Sequence, residues 1–232
     1  MRWVRRWRGR YARIVLFAYF GGGILWLGGW ILWEYARWAH YPARQRALQQ
    51  EILRAWGELE DEVRRRAEAF ARHPVVRRGL QADTGALVRW VESLDWEEEL
   101  WSLDVLDAQG RELAWRGHRM PLSEEANGPL QTEVIVEPGR RVYLVVVRAV
   151  EVGGRLAGWV RIGRLLRSWL PVQNAYIWEY DWAACWRQRL NAQVAVDWHG
   201  SLSAPEGLSP GATPLRLRDG RPVGALYTPY ME

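Results

Sequence analysis

Residues 14–33, IVLFAYFGGGILWLGGWILW, carry no charged side chain. A run of about 20 apolar residues is long enough for a helix to cross a bilayer. The segment before it, MRWVRRWRGRYAR, holds Arg2, Arg5, Arg6, Arg8, Arg10 and Arg13 and no acid, and such clusters stay on the cytoplasmic side. The pattern predicts a basic cytoplasmic tail over 1–13, a transmembrane helix over 14–33, and the remainder outside the cytoplasmic membrane. A cleaved signal peptide would have a shorter apolar core and a small-residue cleavage site; Trp33, Glu34 and Tyr35 offer none. Trp26, Trp30, Trp33, Tyr35 and Trp38 are placed for an outer aromatic belt, with Trp3 and Trp7 at the inner face. Ala18, Gly22, Gly29 and Ala36 share one face of this helix. They fit either a close helix pair or the ordinary abundance of small residues in membrane helices.

Pro42 is expected to interrupt the exit from the membrane. Beyond it, Leu48, Ile52, Trp56, Leu59, Val63, Ala67 and Phe70 recur at steps of three and four, a helical and nearly heptad period. The long helix is assigned to 34–73. Glu62 and Arg66 form an i, i+4 pair on its charged side. It should end at His73, because a following proline disfavours helix. Leu48, Ile52, Trp56, Leu59 and Val63 are its expected seam with a second copy, which predicts a homodimer.

Residues 75–94 read as short helical pieces around Gly79 and Gly85. The period then changes to two at Trp101, Leu103 and Val105. Asp107-Ala108-Gln109-Gly110 is a turn, and residues 111–116 return. After a polar loop over 117–129 come strands at 130–137, 141–151 and 155–163, with turns at Pro138-Gly139 and Gly153-Gly154. Residues 165–190 read as helix broken at Pro171. A short strand over 193–198, a loop over 201–214 and a closing hairpin over 215–227 complete a small unit. The fold class is α+β: five antiparallel strands with helices on one face. No exact internal repeat is present.

Composition adds three points. The net charge of +5 is smaller than the number of arginines in the tail, so the outer portion is nearly neutral and no basic stripe remains for nucleic acid. All basic residues are arginine. The single cysteine, Cys185, permits no internal disulfide, and it reads as a buried small residue in a helix. Of the seventeen tryptophans, Trp90, Trp96 and Trp101 fall at core positions.

The segments AFARHPVVRRGLQADTGALVRWVESL, LDVLDAQGRELAW and VYLVVVRAVEVGGRLAGWVRIG, following a membrane helix and a long outward helix, resemble Cache-type sensor domains. These PAS-like modules are the extracytoplasmic parts of bacterial receptors, mostly histidine kinases, chemoreceptors and cyclic-dinucleotide enzymes. The resemblance covers about 45–163. It implies a sensor domain over 74–164 and a smaller membrane-proximal unit over 165–232. It also implies signal transduction by helix movement and a place in the bacterial inner membrane. The departure is that such receptors re-enter the membrane and carry an output domain. No second apolar span and no kinase, nucleotide-binding or cyclase motif occurs here, so either a longer protein or a sensor-like domain used alone is expected.

Candidate chemistry is sparse. His40, His73, His118 and His199 have no metal-ligand spacing with one another or with Cys185, so no metal, cofactor or catalytic residue is assigned. Asp95 and Glu97–Glu99 read as a solvated helix end. Polar residues on strands where hydrophobes belong are the binding candidates. Arg148 interrupts LVVVRAV, Arg161 interrupts WVRIG, Arg116 and His118 border the long loop, and Tyr143 shares the fourth strand. In a PAS-like module ligands sit between the sheet and that loop, and arginine suits a carboxylate because its fork binds two oxygens. The alternative is that Arg148 and Arg161 face solvent. The functional expectation is a ligand-sensing module that binds a small molecule or a periplasmic protein. The competing expectation is an envelope scaffold that makes protein contacts without sensing.

Overall fold

The computed structural model describes residues 2–97, 99–121, 130–137, 141–168, 180–190, 194–198 and 212–227. The chain divides into two units, 1–50 and 51–232. Within the first unit the chain is helical from Arg2 onward, as the beginning of α1 (Arg2–Arg72). Pro42 lies inside this helix and does not interrupt it. A proline removes a single backbone hydrogen bond, and the turns on either side keep theirs. Trp26, Trp30, Leu32, Trp33 and Tyr35 are all more than half exposed. Among the described residues, no helix is long and apolar enough to cross a membrane. Side chains 14–25 of the expected span lie outside the described residues, as do Trp3, Trp7 and Trp38.

The second unit holds the rest of α1, then α2 (Pro74–Gln81) and α3 (Thr84–Glu92). His73 caps α2: its Nδ1 accepts the Val75 N–H at 3.3 Å, and its ring stacks on Trp90 at 4.2 Å. Asp83 caps α3 by accepting the Ala86 N–H at 2.9 Å. Such caps satisfy amide groups that the first turn leaves without partners.

Five strands follow: β1 (Trp101–Asp107), β2 (Glu112–Gly117), β3 (Leu130–Glu137), β4 (Arg141–Val152) and β5 (Arg155–Ser168). They form an antiparallel sheet in the order β2-β1-β5-β4-β3, with the two-residue β6 (Tyr180–Asp181) added to β5. The α+β class and the antiparallel sheet agree with the PAS-like expectation. Residues 165–168, expected to be helical, extend β5 instead. Tyr143, Val142 and Arg141 of β4 supply paired backbone out to Ser168, so the ladder continues.

Strand alternation sorts the sheet into two faces. Leu103, Val105, Leu144, Val146, Val160 and Ile162 are fully buried on one of them. Helices cover this face. Glu68 of α1 reaches Arg148, the Arg66 guanidinium lies 3.8 Å from the Trp101 ring centre, and Leu80 of α2 packs where Gly158 leaves room. The other face has a core of its own in Met120, Tyr143, Val145, Val147 and Leu165, flanked by Trp159 and Tyr180. Each fully buried aliphatic side chain contributes about 1.5–3 kcal/mol, so both faces stabilise the sheet.

The small unit joins α4 (Trp182–Leu190) to a sheet of β7 (Ala195–Asp197), β9 (Pro222–Tyr227) and β8 (Ala212–Arg216), in that order. The expected closing hairpin is β8 and β9. Trp56 of α1 packs its ring 5.9 Å from Trp182 and 5.7 Å from Trp198, and its Nε1 donates to Arg216 O at 2.8 Å. The buried Glu60 carboxylate accepts from the Arg218 backbone N–H and from Arg64. This packing involves three of the five positions expected to form the seam with a second copy. Ile52, Trp56 and Val63 are buried within one copy of the chain, and Leu48 and Leu59 are half-buried. At Ile52, Trp56 and Val63 the stripe is covered by the chain itself. Cys185 is exposed, contrary to the expectation of burial.

The two hairpin turns repeat one device. Asp107 N donates to Arg111 O, Gly110 N donates to Asp107 O, and the Asp107 carboxylate accepts the Gln109 and Arg111 amides and Arg111 Nε. Leu217, Asp219, Gly220 and Arg221 reproduce these backbone bonds and the pairing of aspartate with arginine. Gly110 and Gly220 sit at φ of 79° and 87°, a region that glycine enters without steric cost. The long loop beyond residue 121, the turn at 138–139, Pro171 and the loop at 201–211 lie outside the described residues.

Candidate functional site

At the centre of the sheet, β1 and β5 place Asp104 and Arg161 opposite each other. Both side chains are almost fully buried, at 2% and 1% exposure, with Arg161 Nη1 3.2 Å from Asp104 Oδ2. They lie on the face away from the helices, together with Ser102. Gly163 pairs with Ser102 and leaves room for the Met120 thioether. The chain after Met120 contributes one bond: Arg161 Nη2 donates to Pro121 O at 2.5 Å.

This cluster is incompletely satisfied. Ser102 Oγ, Asp104 Oδ1, Arg161 Nε and Arg161 Nη1 are buried and make no hydrogen bond among the described residues. The ion pair therefore rests on one close approach without hydrogen-bond alignment. Burial penalises a charge, and here the penalty exceeds what Arg161 returns. The Asp104 carboxyl is pushed up to about 7, with Arg161 and Arg119 opposing and Glu112 adding to the rise. A buried pair gains little when its geometry is poor. Acceptor and donor atoms without partners side by side on an apolar face suit a small molecule that carries both kinds of group.

The sequence candidates separate. Arg161 and Tyr143 share this face. Arg148 lies on the helix face, 3.7 Å from Glu68. Arg116 also lies there, and its Nη1 donates to Glu92 O at the end of α3. His118 is half-buried just beyond β2. Neither Arg148 nor Arg161 is a solvent-facing side chain. Sequence reasoning missed Asp104 and Ser102, because alternation in WSLDVLD reads them as the wet side of a strand. The sequence carried no signal for them, because the pairing of β1 with β5 that puts β1 inside the sheet is a tertiary feature.

Other features carry less chemistry. An open depression of about 490 Å³ lies at the far end of the sheet, lined by Leu80, Gln81, Asp107, Arg111, Arg155 and Leu156 among others. Its acid is already taken up: burial opposes ionisation, but bonds from Arg111 and Gln109 hold the Asp107 carboxyl below its usual range. No group of His, Cys, Asp and Glu among the described residues could hold a metal ion.

No family model matches the chain, and no curated protein matches it. One solved structure, described as a domain of a sensory box/GGDEF family protein from Vibrio parahaemolyticus, aligns with 69% of this chain and 71% of its own. It does so at a TM-score of 0.44 and 11% identity.

Proposed function

We propose that the chain is the ligand-sensing region of a membrane-anchored bacterial receptor of the histidine kinase type. It would hold a small solute on the sheet face that bears Ser102, Asp104 and Arg161. The observation that carries this reading is the set of buried polar atoms without partners at the centre of that face. Each such atom costs about 1–3 kcal/mol if it stays unpaired, and a bound solute would supply the missing partners.

The placement also suits signalling. A solute on β1 and β5 would act on strands whose opposite face meets α1. Trp101 at the start of β1 lies against Arg66 of α1 and Arg164 of β5, at 3.8 and 4.9 Å from the ring centre. A shift of these strands would reach the helix through that ring, and small helix shifts are an established form of switching. The arginine-rich tail and the exposed aromatic and aliphatic side chains around Trp26–Trp33 support anchoring of residues 14–33 in the inner membrane, with the main domain outside. A homodimer would have to use surfaces other than Ile52, Trp56 and Val63.

The test is a thermal-shift screen of the full chain in detergent against organic acids, amino acids and sugars. A ligand at 100 times its Kd adds about 2.7 kcal/mol, and Arg161→Gln should remove that gain. A screen without any hit, or a hit that Arg161→Gln leaves intact, refutes the site. Alkaline phosphatase fused after Gly163 should be active, and an inactive fusion reverses the topology.

A further inference from the structure

Arg161 has three nitrogens and one committed bond. Nη2 is held by Pro121 O, whereas Nε has no acceptor and Nη1 meets Asp104 without hydrogen-bond alignment. Nη2 shares one edge of the guanidinium with Nε and the other with Nη1, and its N–H not held by Pro121 O completes a fork with one of them, a shape that binds a carboxylate through two oxygens. Asp104, from the neighbouring strand, supplies its negative charge at a single point. We propose that the counter-anion of Arg161 is exchangeable: Asp104 holds it in the empty site, and the carboxylate of a small organic acid replaces Asp104 on entry while Asp104 takes a proton from the buffer. This rests on the sensing face assigned above and names its ligand class and its coupling to pH.

The physical argument is a count of charges. Two carboxylates beside one buried guanidinium leave a net negative charge in an apolar setting, which strongly disfavours ionisation of one of them. Asp104 is the one that yields, because its carboxyl, pushed up to about 7 by burial, takes a proton at far less cost near neutral pH than an ordinary carboxylate. The charged groups acting on it are Arg161 on β5, Glu112 on β2 and Arg119 beyond β2. On its own strand the neighbour on this face is Ser102, and from β4 the face presents Tyr143 and the uncharged Val145 and Val147. Protonated Asp104 becomes a hydrogen-bond donor and can bond the incoming carboxylate. Met120, whose flexible thioether can repack, lies over Gly163, the residue paired with Ser102.

The experiment is calorimetric titration of the full chain in detergent with acetate, lactate and succinate. It is run at pH 6 and pH 8 in two buffers of different ionisation enthalpy, with glycerol and acetamide as neutral probes. The carboxylates should bind about tenfold more weakly at pH 8 than at pH 6, as expected when a group titrating near 7 must be protonated. Binding at pH 8 should take up close to one proton, and binding at pH 6 almost none. Asp104→Asn, which mimics the protonated acid, should bind as tightly at pH 8 as the unaltered chain does at pH 6, with no proton uptake. Arg161→Gln should bind no carboxylate. Carboxylate binding without proton uptake, unchanged in Asp104→Asn, overturns the exchange and leaves the sensing face standing. So does binding of a neutral probe alone. Binding of none of the five probes overturns the exchange and counts against the sensing face as well.

Discussion

Replacing Asp104 with asparagine should stabilise this protein, and the gain should grow with pH. Asp104 is buried on β1, inside the sheet, and its carboxyl is pushed up to about 7 from an ordinary value of 3.8. An acid whose pKa is raised by folding binds more protons in the folded state than in the unfolded chain. Stability is therefore fully present below about pH 4 and is lost as pH rises through 7, by about 1.4 kcal/mol per pH unit in that window. The whole interval is on the order of 4 kcal/mol. Asparagine has nearly the shape of the protonated acid and does not titrate. The difference between Asp104→Asn and the unaltered chain should be small near pH 4, grow steadily to pH 7, and level off above it. Urea unfolding in detergent at pH 4.5, 5.5, 6.5, 7.5 and 8.5 measures this, and taking the difference cancels the four histidines. Asp107 and Asp219 do not interfere, because both are held below their usual range and lose their stabilisation only in acid. The refuting result is a variant less stable than the unaltered chain at pH 8, together with stability that is flat or rising from pH 5 to 7. Asp104 would then be a well-compensated ionised partner of Arg161, and breaking such a buried pair costs about 3–5 kcal/mol.

Gly117→Ala should destabilise strongly. Gly117 sits at φ 79° and its Cβ would run into the Trp101 carbonyl oxygen, so backbone conformation alone costs about 1–3 kcal/mol; a Tm within 2 °C of the unaltered chain would refute this. Single cysteines at Ile52 or Trp56, in a Cys185→Ser background, should crosslink poorly between copies because both positions are buried in one chain. Efficient crosslinking at Ile52 would restore the intermolecular seam. Trp56→Ala removes a ring packed between Trp182 and Trp198 and a bond to Arg216 O. It should cost about 3–5 kcal/mol by equilibrium unfolding, and a loss under about 1 kcal/mol would remove Trp56 as the centre of the small unit.

Local patterns in the sequence determined the elements. Steps of three and four marked the helix through residue 70, a period-two run marked β1, and runs bounded by turn residues marked β2 to β5. The glycine-bearing turns followed from residues that act within four positions of themselves, as Asp107 does with Arg111. Tertiary structure decided what covers each face. The stripe of Ile52, Trp56 and Val63 is equally apolar whether it meets a second copy or its own sheet, and the contacts with Trp182, Trp198 and Arg216 come from residues more than a hundred positions away. The same holds for the site. Arg148 and Arg161 both look like single charges inside apolar strands, but the strand order sends one to Glu68 on the helix side and the other to Asp104 on the far side. Alternation along one strand states which residues share a face. Only pairing with distant strands states which face is dry, and so which polar side chain is left buried with an unfilled bond.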